Sequence, residues 1–244
     1  VYGLYSKGFR AGGFTGRPGT YEAASIAYNP ETVDNYEIGW KTEWLDGRVR
    51  VNGSFFMMKY DDKQEEQSVP TAGGTGQQTL VLNAAQADIN GFELDVAALI
   101  TENFTLTGNI GILDSKFKKL IDTDPATPAN QRDLSYLKLR RAPEYTATIS
   151  PNYTWNLGTG TMWLQADLRF VDDQELTFLN SPQSSVKAHE VIDASIGYRL
   201  NNTTFTVWGS NLTDDDSWTQ AYDVGTSVTF PGLWTYAAAR PPRT

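Results

Sequence analysis

Apolar and polar residues alternate along most of this chain, and a period of two marks strands with one face in a hydrophobic environment and the other in water. After Pro30, Tyr36, Ile38, Trp40 and Trp44 fall on one face, with Asn35, Glu37, Lys41 and Glu43 on the other. Beyond Asp46-Gly47, a dipeptide suited to tight reversal, Val49, Val51, Phe55 and Met57 oppose Arg50, Asn52 and Ser54. Phe92, Leu94, Val96, Ala98 and Ile100 oppose Gly91, Glu93 and Asp95, and Leu106, Ile110 and Ile112 oppose Thr105, Thr107 and Asn109. Tyr145, Ala147, Ile149, Tyr153 and Trp155 alternate with Thr146, Thr148, Ser150, Asn152 and Asn156, and Met162, Leu164, Leu168 and Phe170 with Gln165, Asp167 and Arg169. A last hairpin sets Ile192, Ala194, Ile196, Tyr198 and Leu200 against Asp193, Ser195 and Arg199, then Phe205 and Val207 against Thr204 and Thr206. With a strand over 1–9 and another opening at Arg240, the pattern predicts nine strands and the start of a tenth.

The connections alternate too. Short reversals, Leu45-Asp46-Gly47-Arg48, Thr101-Glu102-Asn103-Phe104, Leu157-Gly158-Thr159-Gly160 and Asn201-Asn202-Thr203, take turns with long polar stretches near 10–32, 61–78, 118–143, 172–188 and 213–239. One short-looped end and one long-looped end suit a transmembrane β-barrel, whose outer face meets lipid and whose inner face meets water. A soluble β-sandwich would also alternate. Several segments, however, run for about 12 residues or more, against about 5 or 6 for a soluble strand and roughly 9 to 11 for a tilted membrane strand. Trp44, Phe104, Trp155 and Phe205 cluster near the short turns, as in an interfacial aromatic girdle.

Composition sharpens this picture without deciding it. Aromatic residues make up 12%, with 21 Gly and no Cys. Mean hydropathy is -0.42 and no apolar run approaches the length of a membrane helix. A net charge of -9 argues against a nucleic-acid partner.

Candidate chemistry is sparse. His189 is the single histidine, at a loop-to-strand boundary where solvation is expected, and it leaves no His-based metal cluster or Ser/His/Asp set. Asp61-Asp62, Asp172-Asp173 and Asp214-Asp215-Asp216 have the oxygens Ca²⁺ favours but read as a solvated rim. Glu93 and Asp95 share a face about 7 Å apart, yet other charges share that face, so no catalytic pair is assigned and the chain is not read as an enzyme. Gly73-Gly74-Thr75-Gly76 lacks the lysine and helix of a phosphate loop.

Tyr5-Ser6-Lys7-Gly8-Phe9-Arg10-Ala11-Gly12-Gly13-Phe14 and Pro30-Glu31-Thr32-Val33-Asp34-Asn35-Tyr36-Glu37-Ile38-Gly39-Trp40-Lys41 resemble segments of the C-terminal barrel half of TonB-dependent outer-membrane receptors. So do Asn90-Gly91-Phe92-Glu93-Leu94, Asn211-Leu212-Thr213-Asp214 and Pro242-Arg243-Thr244, in matching order. Gly8, Gly12 and Gly13 are expected to leave the barrel rim through positive φ. Asn211-Leu212-Thr213-Asp214 is expected to end a strand, its short polar side chains satisfying freed backbone groups.

The resemblance implies an all-β fold, an antiparallel barrel of about 22 strands with a plugged lumen, of which residues 1–244 are the C-terminal part, with short periplasmic turns and long extracellular loops. The plug domain and the segment that contacts TonB are not in this sequence, so contact with the TonB complex runs through a missing N-terminal region. It further implies residence in the outer membrane of a Gram-negative bacterium, contact with outer-membrane lipid, and a monomeric barrel at full length. The activity implied is energised import of a scarce small molecule or metal chelate: an iron-siderophore first, or haem, cobalamin or an oligosaccharide. No cofactor and no resident metal are implied. Ligand contacts are then expected from the first long loop, at Arg10, Phe14, Arg17, Tyr21 and Tyr28, because aromatic and Arg side chains give large contact area and several donors. The alternatives are a passive porin or structural barrel, and a soluble β-sandwich binding module.

Overall fold

The computed structural model describes residues 1–16, 18–70, 77–122, 132–223 and 235–244. Its elements in chain order are β1 (Tyr2–Arg10), β2 (Gly13–Phe14), the helix α1 (Tyr21–Ala24), β3 (Ala27–Tyr28), β4 (Glu31–Trp44), β5 (Val49–Pro70), β6 (Gln77–Thr101), β7 (Phe104–Asp122) and β8 (Arg132–Asp133). Then follow β9 (Tyr145–Leu157), β10 (Gly160–Val171), β11 (Gln174–Glu175), β12 (Ser185–Val186), β13 (His189–Leu200), β14 (Thr203–Gly209), β15 (Trp218–Asp223) and β16 (Thr235–Ala239).

Nine of these strands form one antiparallel sheet in the order β1-β4-β5-β6-β7-β9-β10-β13-β14. Short turns join β4 to β5, β6 to β7, β9 to β10 and β13 to β14, while β1 reaches β4, β7 reaches β9 and β10 reaches β13 through long connections. The Leu45-Asp46-Gly47 reversal carries positive φ at all three residues, and Gly158 and Asn201 bend the two-residue turns after β9 and β13 in the same left-handed way. The start of a tenth strand is visible in backbone pairing, since the Ser210 N–H donates to the Thr244 carbonyl at 3.0 Å and the Thr244 N–H donates back at 3.2 Å. The sheet does not close on itself: β1 and β14 are its two edges.

Cross-strand register carries the apolar stripe from strand to strand. Ile38 pairs with Phe55, Phe55 with Phe92 and Phe92 with Ile112; Trp155 pairs with Met162, Met162 with Tyr198 and Tyr198 with Phe205. Ile38 is 57% exposed, and Phe55, Ile149, Leu164 and Val207 are exposed as well. An apolar face of this extent facing water would be heavily unfavourable, as a lipid-facing surface would not be. The opposite face is polar and concave, with a hollow of about 270 Å³ lined by Arg50, Asn52, Asp95, Thr107, Asn109 and Ser150 among others. There Ser150 hydrogen-bonds Asp167, and Arg169 pairs with Asp193.

Large rings on both faces lie over cross-strand glycines: Trp40 over Gly53, Phe56 over Gly91, Trp163 over Gly197 and Tyr2 over Gly39. A Cβ at Gly53 would stand 2.3 Å from the Trp40 ring, so these glycines are seats for aromatics. Gly12 is likewise required by close approach, its Cβ site lying 2.4 Å from the Tyr28 carbonyl oxygen. That corrects the expectation of positive φ at Gly8, Gly12 and Gly13: among described residues the positive-φ glycines are Gly47 and Gly158.

The structure also revises the long connections. β5 and β6 continue as a paired hairpin to Pro70↔Gln77, so most of 61–78 is ladder rather than loop. The stretch 213–239 likewise contains the β15–β16 hairpin.

Candidate functional site

The long connections converge on the end of the sheet opposite the short turns, and the projecting β5–β6 hairpin is the post on which the first of them hangs. Gln64, buried on β5, donates through Nε2 to the carbonyls of Ala11 and Asn29, each at 3.0 Å, while its backbone N–H donates to the Glu31 carboxylate at 2.7 Å. Asn83 on β6 accepts from the Asn29 N–H at 2.6 Å and donates to the carbonyls of Asn29 and Asp62. Thr15 accepts from the Val81 N–H, and Gln78 from that of Gly19, both at 3.1 Å. Thr20 caps α1 by accepting from the Ala23 N–H, and Ala23 buries against Leu80, which is 1% exposed.

This bracing decides where the expected contact residues go. Arg10 ends β1 and is exposed. Phe14 on β2 is exposed, Tyr28 on β3 is half-buried with its ring over Gly13, and β2 pairs with β3 so that Gly13 faces Tyr28. Tyr21 at the start of α1 is 85% exposed. These four therefore belong to one folded connection, but no contact among their side chains draws them into a single pocket. Arg17 lies outside the described residues. So do Gly73 to Gly76.

A second layer covers the neighbouring strands. Ala85, Ala87, Phe117 and Leu120 bury against Leu134 and Leu139, with Tyr60, Ile89 and Phe178 packed around them. Glu65, 2% exposed, is held between Lys63 and Arg140, whose guanidinium lies 3.6 Å away, so the carboxylate ties the hairpin to the 132–144 connection. Lys138 bonds Asp173 at 3.1 Å, and this contact, with the nearby Glu144 and Glu175 charges, raises its pKa. Asp133 lies below the usual carboxylate range because the Ser135 hydroxyl and backbone N–H both donate to it. Tyr136, 78% exposed on the same connection, is a further outward-facing aromatic. Its tyrosine alone marked it in the sequence. The bracing amides were harder to read, because Gln64 lies in a run polar on both faces and Asn83 in the stretch Leu80-Val81-Leu82-Asn83-Ala84-Ala85, which is apolar on both, so neither shows a period of two.

The strand-ending motif behaves as expected. Asn211, 4% exposed and at positive φ, donates through Nδ2 to the carbonyls of Asp215 and Pro241 and accepts from the Asp215 N–H. The Leu212 N–H and Thr213 hydroxyl return to β13 at the carbonyls of Ile192 and Glu190. Burial alone would raise the pKa of Asp215, but hydrogen bonds from Ser217 and Arg240 outweigh it and leave the carboxylate below its ordinary range. His189, expected to be merely solvated, is half-buried, with Nδ1 3.0 Å from the Lys187 carbonyl oxygen and Nε2 3.4 Å from Arg240. Its loop position is real; the folding of 235–244 back across it was not legible. Among the described residues no group of three or more His, Cys, Asp or Glu side chains is placed to hold a metal ion.

Comparison with known proteins agrees with this architecture. The ferric yersiniabactin uptake receptor FyuA from Yersinia pestis superposes with a TM-score of 0.76 at 19% identity, over 99% of this chain and 33% of that one. The siderophore receptor PiuA from Acinetobacter baumannii gives 0.67 at 21% identity, over 88% of this chain and 28% of that one. A 48-residue stretch is 44% identical to the Ferric-pyoverdine 358 receptor of Pseudomonas putida, covering 19% of this chain and 6% of that receptor. The chain thus spans about a third or less of the proteins it matches. The family model "TonB dependent receptor-like, beta-barrel" matches residues 1–212. The chain belongs to the TonB-dependent receptor-like β-barrel family.

Proposed function

We propose that residues 1–244 are the C-terminal part of the barrel of a Gram-negative outer-membrane receptor that captures a ferric siderophore outside the cell. Import is then driven by TonB acting on a plug domain elsewhere in the protein. The observation that carries this reading is the braced outer end: a folded 11–30 connection, held by Gln64, Thr15 and Asn83, presents Phe14 and Tyr21 to solvent. Relatives named for ferric pyoverdine and ferric yersiniabactin favour a ferric siderophore over haem, cobalamin or an oligosaccharide.

Orientation is tested first. In the full-length receptor on intact cells, Tyr21→Cys and Tyr136→Cys should react with a membrane-impermeant thiol reagent, while Asp46→Cys and Thr159→Cys at the short turns should react only after lysis. Equal labelling of both sets would reject the topology.

Ligand capture is tested by uptake of radiolabelled iron on a panel of siderophores, with and without TonB. Phe14→Ala with Tyr21→Ala should weaken binding of the transported chelate about tenfold, in keeping with the usual cost of losing aromatic anchors, while the heat-modifiable gel shift stays unchanged. Uptake that persists undiminished without TonB would instead favour a passive pore.

A further inference from the structure

Glu65 is a buried charge that the capture reading leaves unused. Its side chain is 2% exposed, and Lys63 pairs with one carboxylate oxygen. The other oxygen, Oε2, accepts no hydrogen bond among the described residues, and the Arg140 guanidinium at 3.6 Å is its compensating charge. A carboxylate buried between two cations adds little net stability, because desolvation offsets most of the attraction. Such a group is better suited to fixing one arrangement of the chain among several.

The arrangement concerned joins parts of the protein that are distant in sequence. Gln64 and Glu65 are consecutive on β5, so their side chains leave opposite faces of the strand. Gln64 grips the 11–30 connection at the carbonyls of Ala11 and Asn29, whereas Glu65 grips 132–144 through Arg140, a side chain 45% exposed. Leu134 and Leu139 also anchor 132–144 by apolar packing, but packing of that kind is non-directional and leaves the outward residues to be oriented by the charge. From there the contacts run on. The Lys138 N–H donates to Asn180 Oδ1 at 2.6 Å, Asn180 Nδ2 donates back to the Lys138 carbonyl at 3.0 Å, and the Arg141 N–H donates to the Glu175 carbonyl at 2.7 Å. These bonds lock 132–144 to 172–188. Leu176 and Val186 of 172–188 bury in turn against Ala221 and Ala237 of the β15–β16 hairpin.

We propose that Glu65 is a positioning residue for ligand capture: by orienting Arg140 it sets 132–144, and 172–188 behind it, against the 11–30 connection, so that the outer end meets its ferric chelate as one preorganised surface. The proposal deepens the siderophore-receptor reading above and rests on it. A ligand that binds one arrangement loses apparent affinity in proportion to the receptor fraction outside that arrangement. Glu65 is buried, so its role shows as weaker binding with no contact to the chelate removed.

The test uses the full-length receptor and, as probes, the ferric forms of the siderophores in the uptake panel, ferric pyoverdine and ferric yersiniabactin among them. It compares Glu65→Gln, Arg140→Gln, the double variant and, as a control, the exposed neighbour in Glu66→Gln. Without ligand, the Lys138 and Arg141 amides should exchange about tenfold faster in Glu65→Gln, while those of Phe55 and Phe92 keep wild-type protection. The bound probe should be held about tenfold more weakly, and saturating probe should return both amides to wild-type protection. The double variant should be no worse than either single one, as expected of two groups that act through each other. Glu66→Gln should match wild type. Unchanged exchange at Lys138 and Arg141 would overturn the proposal, as would additive losses in the double variant. Faster exchange with unaltered affinity, or with no recovery at saturation, would make Glu65 merely structural and overturn it too. If Glu65→Gln also exposes Phe55 and Phe92, the same outcomes are read from Arg140→Gln. A wild type that binds none of the probes would overturn the siderophore reading instead, and the exchange comparison would still decide whether Glu65 joins the connections.

Discussion

Arginine placed at the middle of the apolar stripe should cost the full-length receptor roughly 2 to 4 kcal/mol in vesicles, the penalty measured for basic side chains near the bilayer midplane of a barrel. Val96→Arg and Ile196→Arg are the cleanest sites. Val96 is the centre of the 92–100 stripe and pairs with Val51 and Gly108, while Ile196 pairs with Leu164 and Val207. Neither row offers a carboxylate within direct cross-strand reach. Ile38→Arg should behave similarly. Glu93→Arg, one position from the stripe in sequence but on the concave polar face opposite Ser54 and Gly111, should cost far less. Urea titrations of tryptophan fluorescence in the lipid-reconstituted receptor measure both. Equal losses on the two faces would mean that water covers both, and the lipid-facing assignment would fail.

That contrast also explains how much of the fold the sequence disclosed. Alternation is a direct consequence of placing lipid on one side of a pleated strand and water on the other, so Tyr36 to Trp44 or Ile192 to Leu200 could be read residue by residue. The tight turns were equally legible through Asp46-Gly47 and Gly158. The extension of β5 through Asp61-Asp62 was not, because beyond the membrane both faces of a strand meet water or polar connections and the period of two loses its cause. The same reason hides the bracing role of Gln64 and Asn83, whose side-chain partners are backbone groups that no sequence pattern marks. Glu65 is a further case: a carboxylate at 2% exposure is unexpected in a Gln-Glu-Glu-Gln run until Lys63 and Arg140 are seen around it. The seats of Trp40, Phe56 and Trp163 over Gly53, Gly91 and Gly197 are pairings between strands, and one strand read alone shows only an unexplained glycine.

Asn211 sits at the seam between the sheet and the segment that begins the next strand, and its loss should loosen that seam. Asn211→Ala removes the acceptor of the Asp215 N–H and the donor shared by the carbonyls of Asp215 and Pro241, in a site only 4% exposed. Unsatisfied buried groups cost about 1 to 3 kcal/mol each, and a φ of +50° adds strain for alanine that asparagine tolerates better. A local loss of about 2 to 4 kcal/mol follows if part of the freed polarity finds water. Asn211→Gly should recover the strain but none of the hydrogen bonds, and so should fall between wild type and alanine. The readout is amide exchange in the full-length receptor. The Ser210 and Thr244 amides, which bond each other's carbonyls, and the Asp215 amide should exchange faster in both variants, while those of Phe55 and Phe92 keep wild-type protection. Unchanged protection at Ser210, Asp215 and Thr244 would show that the register of the next strand is held by its neighbours alone and that the Asn211 side chain is dispensable to it.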